Sequence, residues 1–301
     1  MKVLIVSGFL GAGKTTFITE MAKVCRQKFV VMENEMGAIG VDGGLLSSSL
    51  GKDIDIWELT EGCICCSMKT DFATSVLTIE NTLSPEYLLV EPTGVGMLSQ
   101  IIANLRQIAY ERIEILSPVT ILDALNCFTT SRDFPEIFTD QLASAGTVVL
   151  SKTEKFSADE CSSIEKFVEK YTHQAEIIVK PYSNQPFDWW DKLWRRTLNG
   201  EILPPPRNPD AGLDSVGLLK PRLPSPFDLT ILLEKIIRGK FGNIVRAKGI
   251  LATGKEKLRF DVAGGQYSLM GIDDENADPK AVFIGRNIDS RALRRILDAE
   301  N

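Results

Sequence analysis

The chain has 301 residues, with 34 Lys and Arg against 40 Asp and Glu, for a formal net charge of −6. Hydrophobic residues at 44% and charged residues at 25% exclude a disordered tail, a collagen-like repeat and a disulfide-stapled miniprotein. The acidic balance argues against nucleic acid as a partner, and no stretch approaches the ~20 apolar residues that a membrane span requires.

Val3–Val6 is the first apolar run and reads as a buried strand. It leads into Gly8-Phe9-Leu10-Gly11-Ala12-Gly13-Lys14-Thr15-Thr16, which satisfies the G-x4-G-K-[ST] phosphate-loop pattern, and Thr15–Val24 continues as a helix. That strand–loop–helix context is the one the pattern requires. Gly8, Gly11 and Gly13 let backbone N–H groups turn toward phosphates, and the helix N-terminus adds partial positive charge. Lys14 would reach the β- and γ-phosphates, the Thr15 hydroxyl would ligate Mg²⁺, and Thr16 completes the nucleotide-binding set. A glycine-rich turn that binds nothing is the plain alternative.

Phe29–Met32 and Ile54–Trp57 read as the next strands. After the second comes Glu61-Gly62-Cys63-Ile64-Cys65-Cys66, ahead of a helical pattern over Asp71–Leu83. A C-x-C-C cluster offers up to three soft ligands to one ion, suiting Zn²⁺ or Cu⁺ rather than hard Mg²⁺. The alternative is a buried loop with incidental thiols. Cys25, Cys127 and Cys161 are scattered and read as small core hydrophobes. Nothing resembles a secreted disulfide framework, so the chain reads as cytoplasmic. With His173 the single histidine, any metal chemistry must rest on sulfur and oxygen.

The strand Leu88–Val90 ends at Glu91, and Pro92-Thr93-Gly94 follows. Glu91 could hold Mg²⁺ through water or orient an attacking water, while the Gly94 N–H could meet the γ-phosphate. Leu98–Ile108 is helical. Asp123, which ends the strand Val119–Leu122, is a weaker candidate and could equally cap a helix. After Val148–Leu150 comes Ser151-Lys152-Thr153-Glu154, where guanine-reading proteins resemble Asn-Lys-x-Asp. Glu154 keeps the carboxylate that accepts from the guanine N1–H and exocyclic amine, and Ser151 keeps a hydroxyl but loses the amide, so GTP is expected over ATP. Helix Ala158–Tyr171 and strand Ile177–Val179 follow, then Trp189, Trp190 and Trp194 as packing bulk.

Continuous Val/Ile/Leu strands alternating with amphipathic helices specify an α/β class: a doubly wound, mostly parallel sheet. Seven of the 14 prolines lie between Pro204 and Pro226, in a stretch without apolar period. The expected domains are therefore 1–200 for the phosphate-loop unit, 201–226 as a proline-rich linker, and 227–301 as a smaller α+β domain. In the last, Leu229–Ile237 is helical, followed by strands at Ile244–Leu251, Leu258–Val262, Tyr267–Met270 and Val282–Ile284. Gly264-Gly265 suits a hairpin turn, and Asp289 or Ser290 can cap a last helix toward Leu297. Lys235–Arg259 carries eight Lys and Arg against Glu256, better suited to a solvated strand face or an acidic protein partner than to nucleic acid.

Gly8–Thr16, Glu33-Asn34-Glu35-Met36-Gly37 through Asp42, Gly62–Cys66 and Glu91-Pro92-Thr93-Gly94 together resemble the CobW-type family of P-loop GTPases. Val245-Arg246-Ala247-Lys248-Gly249 and Val282-Phe283-Ile284-Gly285-Arg286-Asn287 look like that family's C-terminal domain. The resemblance covers nearly the whole chain apart from the proline-rich stretch. It implies slow, Mg²⁺-dependent GTP hydrolysis coupled to delivery of Zn²⁺, Co²⁺ or another ion into a client metalloprotein or a corrinoid cofactor. It also implies Glu35 as a carboxylate ligand beside Cys63, Cys65 and Cys66, with Ala38 standing where relatives carry a further acid. The competing reading is a nucleotide-gated assembly chaperone that binds a client and carries no metal. A small-molecule kinase would need an acceptor-binding constellation, and none is evident.

Overall fold

The computed structural model describes residues 1–34, 56–59, 69–109, 112–172, 174–199, 212–272 and 277–297. They fall into two compact units, one from the N-terminal two-thirds of the chain and the other from Gly212 onward.

The first unit is built on eight strands among the described residues: β1 (Lys2–Ser7), β2 (Phe29–Asn34), β3 (Ile56–Leu59), β4 (Tyr87–Glu91), β5 (Glu114–Ile115), β6 (Val119–Asp123), β7 (Thr147–Ser151) and β8 (Glu176–Ile178). Their order is β3-β2-β4-β1-β6-β7-β8, with β5 beside β1 and every pairing parallel. Alternation along β1 explains why both faces are covered. Leu4 and Val6 join a cluster with Phe17, Met21 and Trp190 on one side, and Val3 and Ile5 join Phe72, Val76 and Leu98 on the other.

Helices α1 (Lys14–Val24), α2 (Lys69–Leu83), α3 (Leu98–Arg106), α4 (Cys127–Asp133), α5 (Pro135–Ala143), α6 (Ala158–Val168) and α7 (Phe187–Leu193) supply those layers. Helix α6 carries a capping box, with the Ser157 hydroxyl accepting from the Glu160 N–H and the Glu160 carboxylate accepting from the Ser157 N–H. The tryptophans form core, as expected. Trp190 and Trp194 are fully buried, with Trp190 5.0 Å from the ring of Phe17 and Trp194 5.0 Å from that of Phe29. Cys127 is fully buried as a core thiol, whereas Cys25 and Cys161 are half-buried and Cys25 accepts from Trp194 Nε1. Among the described residues no helix is long and apolar enough to cross a membrane.

The second unit contains β9 (Asp214–Leu219), β10 (Arg222–Leu223), α8 (Pro226–Ile237), β11 (Asn243–Thr253), β12 (Glu256–Ala263), β13 (Gln266–Gly271), β14 (Lys280–Arg286) and α9 (Ser290–Leu297). Its sheet runs β13-β12-β11-β14-β9, antiparallel throughout, with β10 added parallel to β11. Both helices pack on the face that presents Ala247, Leu251, Phe260 and Phe283. Gly264 and Gly265, at φ +58° and +73°, make the two-residue turn between β12 and β13. Ser225 caps α8 by accepting from the Asp228 N–H, and Asp289 accepts from the Ala292 N–H at the start of α9.

One expectation is corrected. The stretch read as linker is not without regular structure, because residues 214–219 and 222–223 are strands. Val216 and Leu218 alternate inward opposite Phe283 and Ala281, which supplies the driving force; the flanking prolines and the exposed Leu219 hide the alternation in the sequence.

Candidate nucleotide-binding site

The phosphate loop leaves the C-terminal end of β1, the central strand, which has β4 on one side and β6 on the other. The chain builds the β4 side first and crosses to the β6 side only after β4. Its backbone needs glycine. Gly8, Gly11 and Gly13 have φ of +143°, +73° and +96°, and a Cβ on Gly8 would sit 2.3 Å from the Ile121 carbonyl oxygen. Gly13 is the N-cap of α1 without a side-chain cap, so the helix N-terminus stays open to an anion. Lys14 opens α1 and is buried, and its Nζ lies 3.0 Å from the Gly8 carbonyl and 3.4 Å from that of Phe9. Thr16 is exposed on the first turn.

Strand β4 brings Glu91 to the same end of the sheet. The Thr15 hydroxyl donates to the Glu91 carboxylate, at 3.2 and 3.4 Å from its two oxygens. A hydroxyl and a carboxylate side by side are the hard oxygen donors that Mg²⁺ prefers, so these residues fit the ion. Gly94 approaches the loop backbone to backbone, since a Cβ there would lie 2.5 Å from Leu10 N and 2.8 Å from Leu10 Cα. Sequence reasoning passed over Glu33 as a site residue. It is a buried carboxylate on β2, in register with Glu91 on β4 and with Glu58 on β3. Its signal was an acid closing an apolar strand run.

The far side of the loop is held by β7. Ser151 Oγ donates to the Ala12 carbonyl at 2.6 Å and lies 3.3 Å from the Leu122 carbonyl, so the hydroxyl ties β7 to the phosphate loop. Lys152, at φ +58°, places its Nζ 2.7 Å from Asp123 Oδ2. Asp123 also accepts from the Leu125 N–H at 2.9 Å and from Asn126 Nδ2 at 2.8 Å, while the N-cap of α4 is Asn126. Asp123 therefore organises the β6–α4 turn rather than capping the helix. Glu154 is exposed beyond this turn. Glu35, Cys63, Cys65 and Cys66 lie outside the described residues. Among the described residues no group of three or more His, Cys, Asp or Glu is placed to hold a metal ion.

A parallel sheet with a lysine-bearing glycine loop at the end of its central strand defines a phosphate-loop nucleotide-binding protein. The sequence profile of the CobW/HypB/UreG nucleotide-binding domain matches residues 2–179, and that of the cobalamin synthesis protein CobW C-terminal domain matches residues 219–300. The chain belongs to the CobW/HypB/UreG family. It is 30% identical over 177 residues to the zinc chaperone YeiR of Escherichia coli (strain K12), covering 58% of this chain and 53% of that one. It is 29% identical over 208 residues to the zinc chaperone CobW of Sinorhizobium sp, covering 58% and 57%. The chain thus spans about half the length of these curated relatives. The zinc-regulated GTPase metalloprotein activator 1 of Dictyostelium discoideum is 23% identical over 334 residues, covering 93% of this chain and 69% of that one. Among solved structures, the Zn(II)-bound YjiA GTPase from E. coli superposes over 98% of this chain and 97% of that one, with TM-score 0.46 and 20% identity.

Proposed function

We propose that the chain is a slowly hydrolysing GTPase that acts as a metallochaperone, delivering zinc or cobalt to a client protein or corrinoid cofactor. The observation that carries this reading is the convergence of Lys14, Thr15, Glu91 and Gly94 at the end of β1. In it Lys14 neutralises the β- and γ-phosphate oxygens, the loop N–H groups bind them, and the Gly94 N–H meets the γ-phosphate. Thr15 and Glu91 are the residues that would hold Mg²⁺, which would supply neutralisation of phosphate charge when bound. Ser151 and Lys152 shape the base side of the site, and the Glu154 carboxylate selects guanine.

The metal is cargo. Cys63, Cys65 and Cys66 with Glu35 form its proposed ligand set, and the names of the relatives favour zinc. Glu33 and Glu91 are in register on adjacent strands, so the segment leading to Glu35 starts beside the phosphate site. On this reading, loss of the γ-phosphate releases that segment and alters the ligand geometry.

The test is zinc affinity, measured anaerobically with a non-hydrolysable GTP analogue and with GDP, for the native chain and for Cys65→Ser/Cys66→Ser. The reading requires affinities that differ between nucleotides and a loss of binding in the variant. Absence of thiol-dependent zinc binding in the native chain, together with an unchanged effect of the variant on a client, would replace it by the assembly-chaperone reading.

A further inference from the structure

Helix α5 grips the Gly94 turn from behind. Gln141 Nε2 donates to two carbonyls of that turn, Gly94 at 3.3 Å and Gly96 at 3.1 Å, and the residue is 3% exposed. Asp140, its neighbour, is also buried. Its carboxylate accepts from the Ser99 N–H at 3.1 Å and from the Ser99 hydroxyl, in the first turn of α3 just beyond the glycine turn. Helix α5 is itself anchored twice. The Thr120 hydroxyl of β6 donates to the Gln141 carbonyl at 3.0 Å, and the ring of its N-cap residue Phe134 lies 4.9 Å from that of Phe9 in the phosphate loop.

The Gly94 peptide is therefore held between two surfaces, the Leu10 backbone on one side and the Gln141 amide on the other. With its carbonyl bonded, rotation of the chain at Gly94 is restricted. The turn adds its own tie, from the Gly96 N–H to the Thr93 carbonyl at 2.9 Å. A single amide that bonds two carbonyls of one turn fixes their relative orientation, which neither bond would do alone. Burial raises the Asp140 pKa above its ordinary value, opposed by the hydrogen bonds that its carboxylate accepts from Ser99 and from the Leu98 backbone.

We infer that Asp140 and Gln141 of α5 are positioning residues that hold the Gly94 turn where its N–H can meet a terminal phosphate, so that they set discrimination between a nucleoside triphosphate and diphosphate. The inference rests on the nucleotide reading above. A diphosphate is held by the loop glycines and Lys14, whereas only the third phosphate reaches Gly94. Losing the Gln141 contacts thus weakens triphosphate binding selectively. A residue that merely supported the fold would weaken both nucleotides together.

The experiment titrates fluorescent GDP and a fluorescent non-hydrolysable GTP analogue into the native chain and into Gln141→Met, Gln141→Glu, Asp140→Asn and Thr139→Ala. Gln141→Met keeps the volume without the donor, and is expected to lower triphosphate affinity about tenfold while diphosphate affinity stays within about twofold. Gln141→Glu sets a carboxylate against two carbonyls and is expected to lose more. Thr139→Ala, on the exposed face of α5, is expected to change neither. Asp140→Asn, which keeps the shape but weakens the Ser99 bonds, is expected to fall between the native chain and Gln141→Met. Parallel loss of both nucleotides in Gln141→Met, or no loss of either, overturns the inference. Absence of guanine-nucleotide binding in the native chain would instead overturn the nucleotide reading itself.

Discussion

The Thr15 hydroxyl and the Glu91 carboxylate meet at 3.2 Å although 76 positions separate them in the chain. One sits in the first turn of the helix after β1, the other at the end of the neighbouring parallel strand β4. The sheet therefore joins the two motifs into one oxygen-donor pair. Glu91→Gln removes the charge and keeps the shape. It is expected to raise the Mg²⁺ concentration needed for half-maximal GTP turnover and to lower turnover by about 10²-fold. Unchanged Mg²⁺ dependence in a steady-state phosphate-release assay would remove Glu91 from the ion's site.

Gly94 makes a steric prediction. A methyl group there would meet Leu10 N at 2.5 Å, and backbone on both sides cannot yield as a side-chain tip would. Gly94→Ala should cost about 1–3 kcal/mol of stability, the usual range for overpacking, and should abolish preference for triphosphate over diphosphate. Chemical denaturation together with nucleotide titration checks both parts. An alanine variant of native stability and native preference would show that the turn does not rely on this close approach.

Local pattern and long-range placement were not equally readable before the fold was known. Residues Val3–Val6 and the loop after them announced a strand, a turn and a helix, because each needs only neighbours in sequence. Strand β9 escapes a reading from sequence because two inward residues, Val216 and Leu218, are too few to display a period among nearby prolines. Its place is specified by pairing with β14, about 65 positions away. Gln141 likewise carries no motif. Only the packing of α5 against the Gly94 turn distinguishes it from any other helix glutamine. Ser151 shows the intermediate case, in which the position was readable but not the contact. Its hydroxyl faces the Ala12 carbonyl of the phosphate loop.

That contact separates two neighbouring residues by experiment. Ser151→Ala loses a buried bond to the loop backbone, worth about 1 kcal/mol, and is expected to weaken guanine and adenine nucleotides by the same factor. Glu154→Gln keeps the loop intact and removes the carboxylate proposed to accept from the guanine edge. It should weaken GTP while leaving ATP unchanged. Competition titration of both nucleotides against both variants reads the difference. If Glu154→Gln leaves the guanine preference intact, recognition of the base lies elsewhere.

Cys127 supplies a pH-dependent prediction. The thiol opens α4, fully buried, and desolvation, with a smaller contribution from the charge of Asp123, pushes its pKa from 9.0 to about 12. Well below pH 9.0 the thiol is mostly protonated whether the chain is folded or unfolded, the unfolded chain holding only a minor thiolate fraction, so it adds little pH dependence there. Above that value the unfolded chain releases the proton while the folded chain retains it. Stability therefore falls between pH 9.0 and about 12, the folded state being the one that binds more protons. Cys127→Ala is expected to lose this component of the slope, so its urea midpoint should gain on that of the native chain as pH rises through the window. Because only the thiolate attacks, Cys127 should also resist alkylation at pH 8 until the chain is denatured. Rapid labelling of Cys127 in the folded chain, located by peptide mass, would show that the thiol is neither buried nor held protonated.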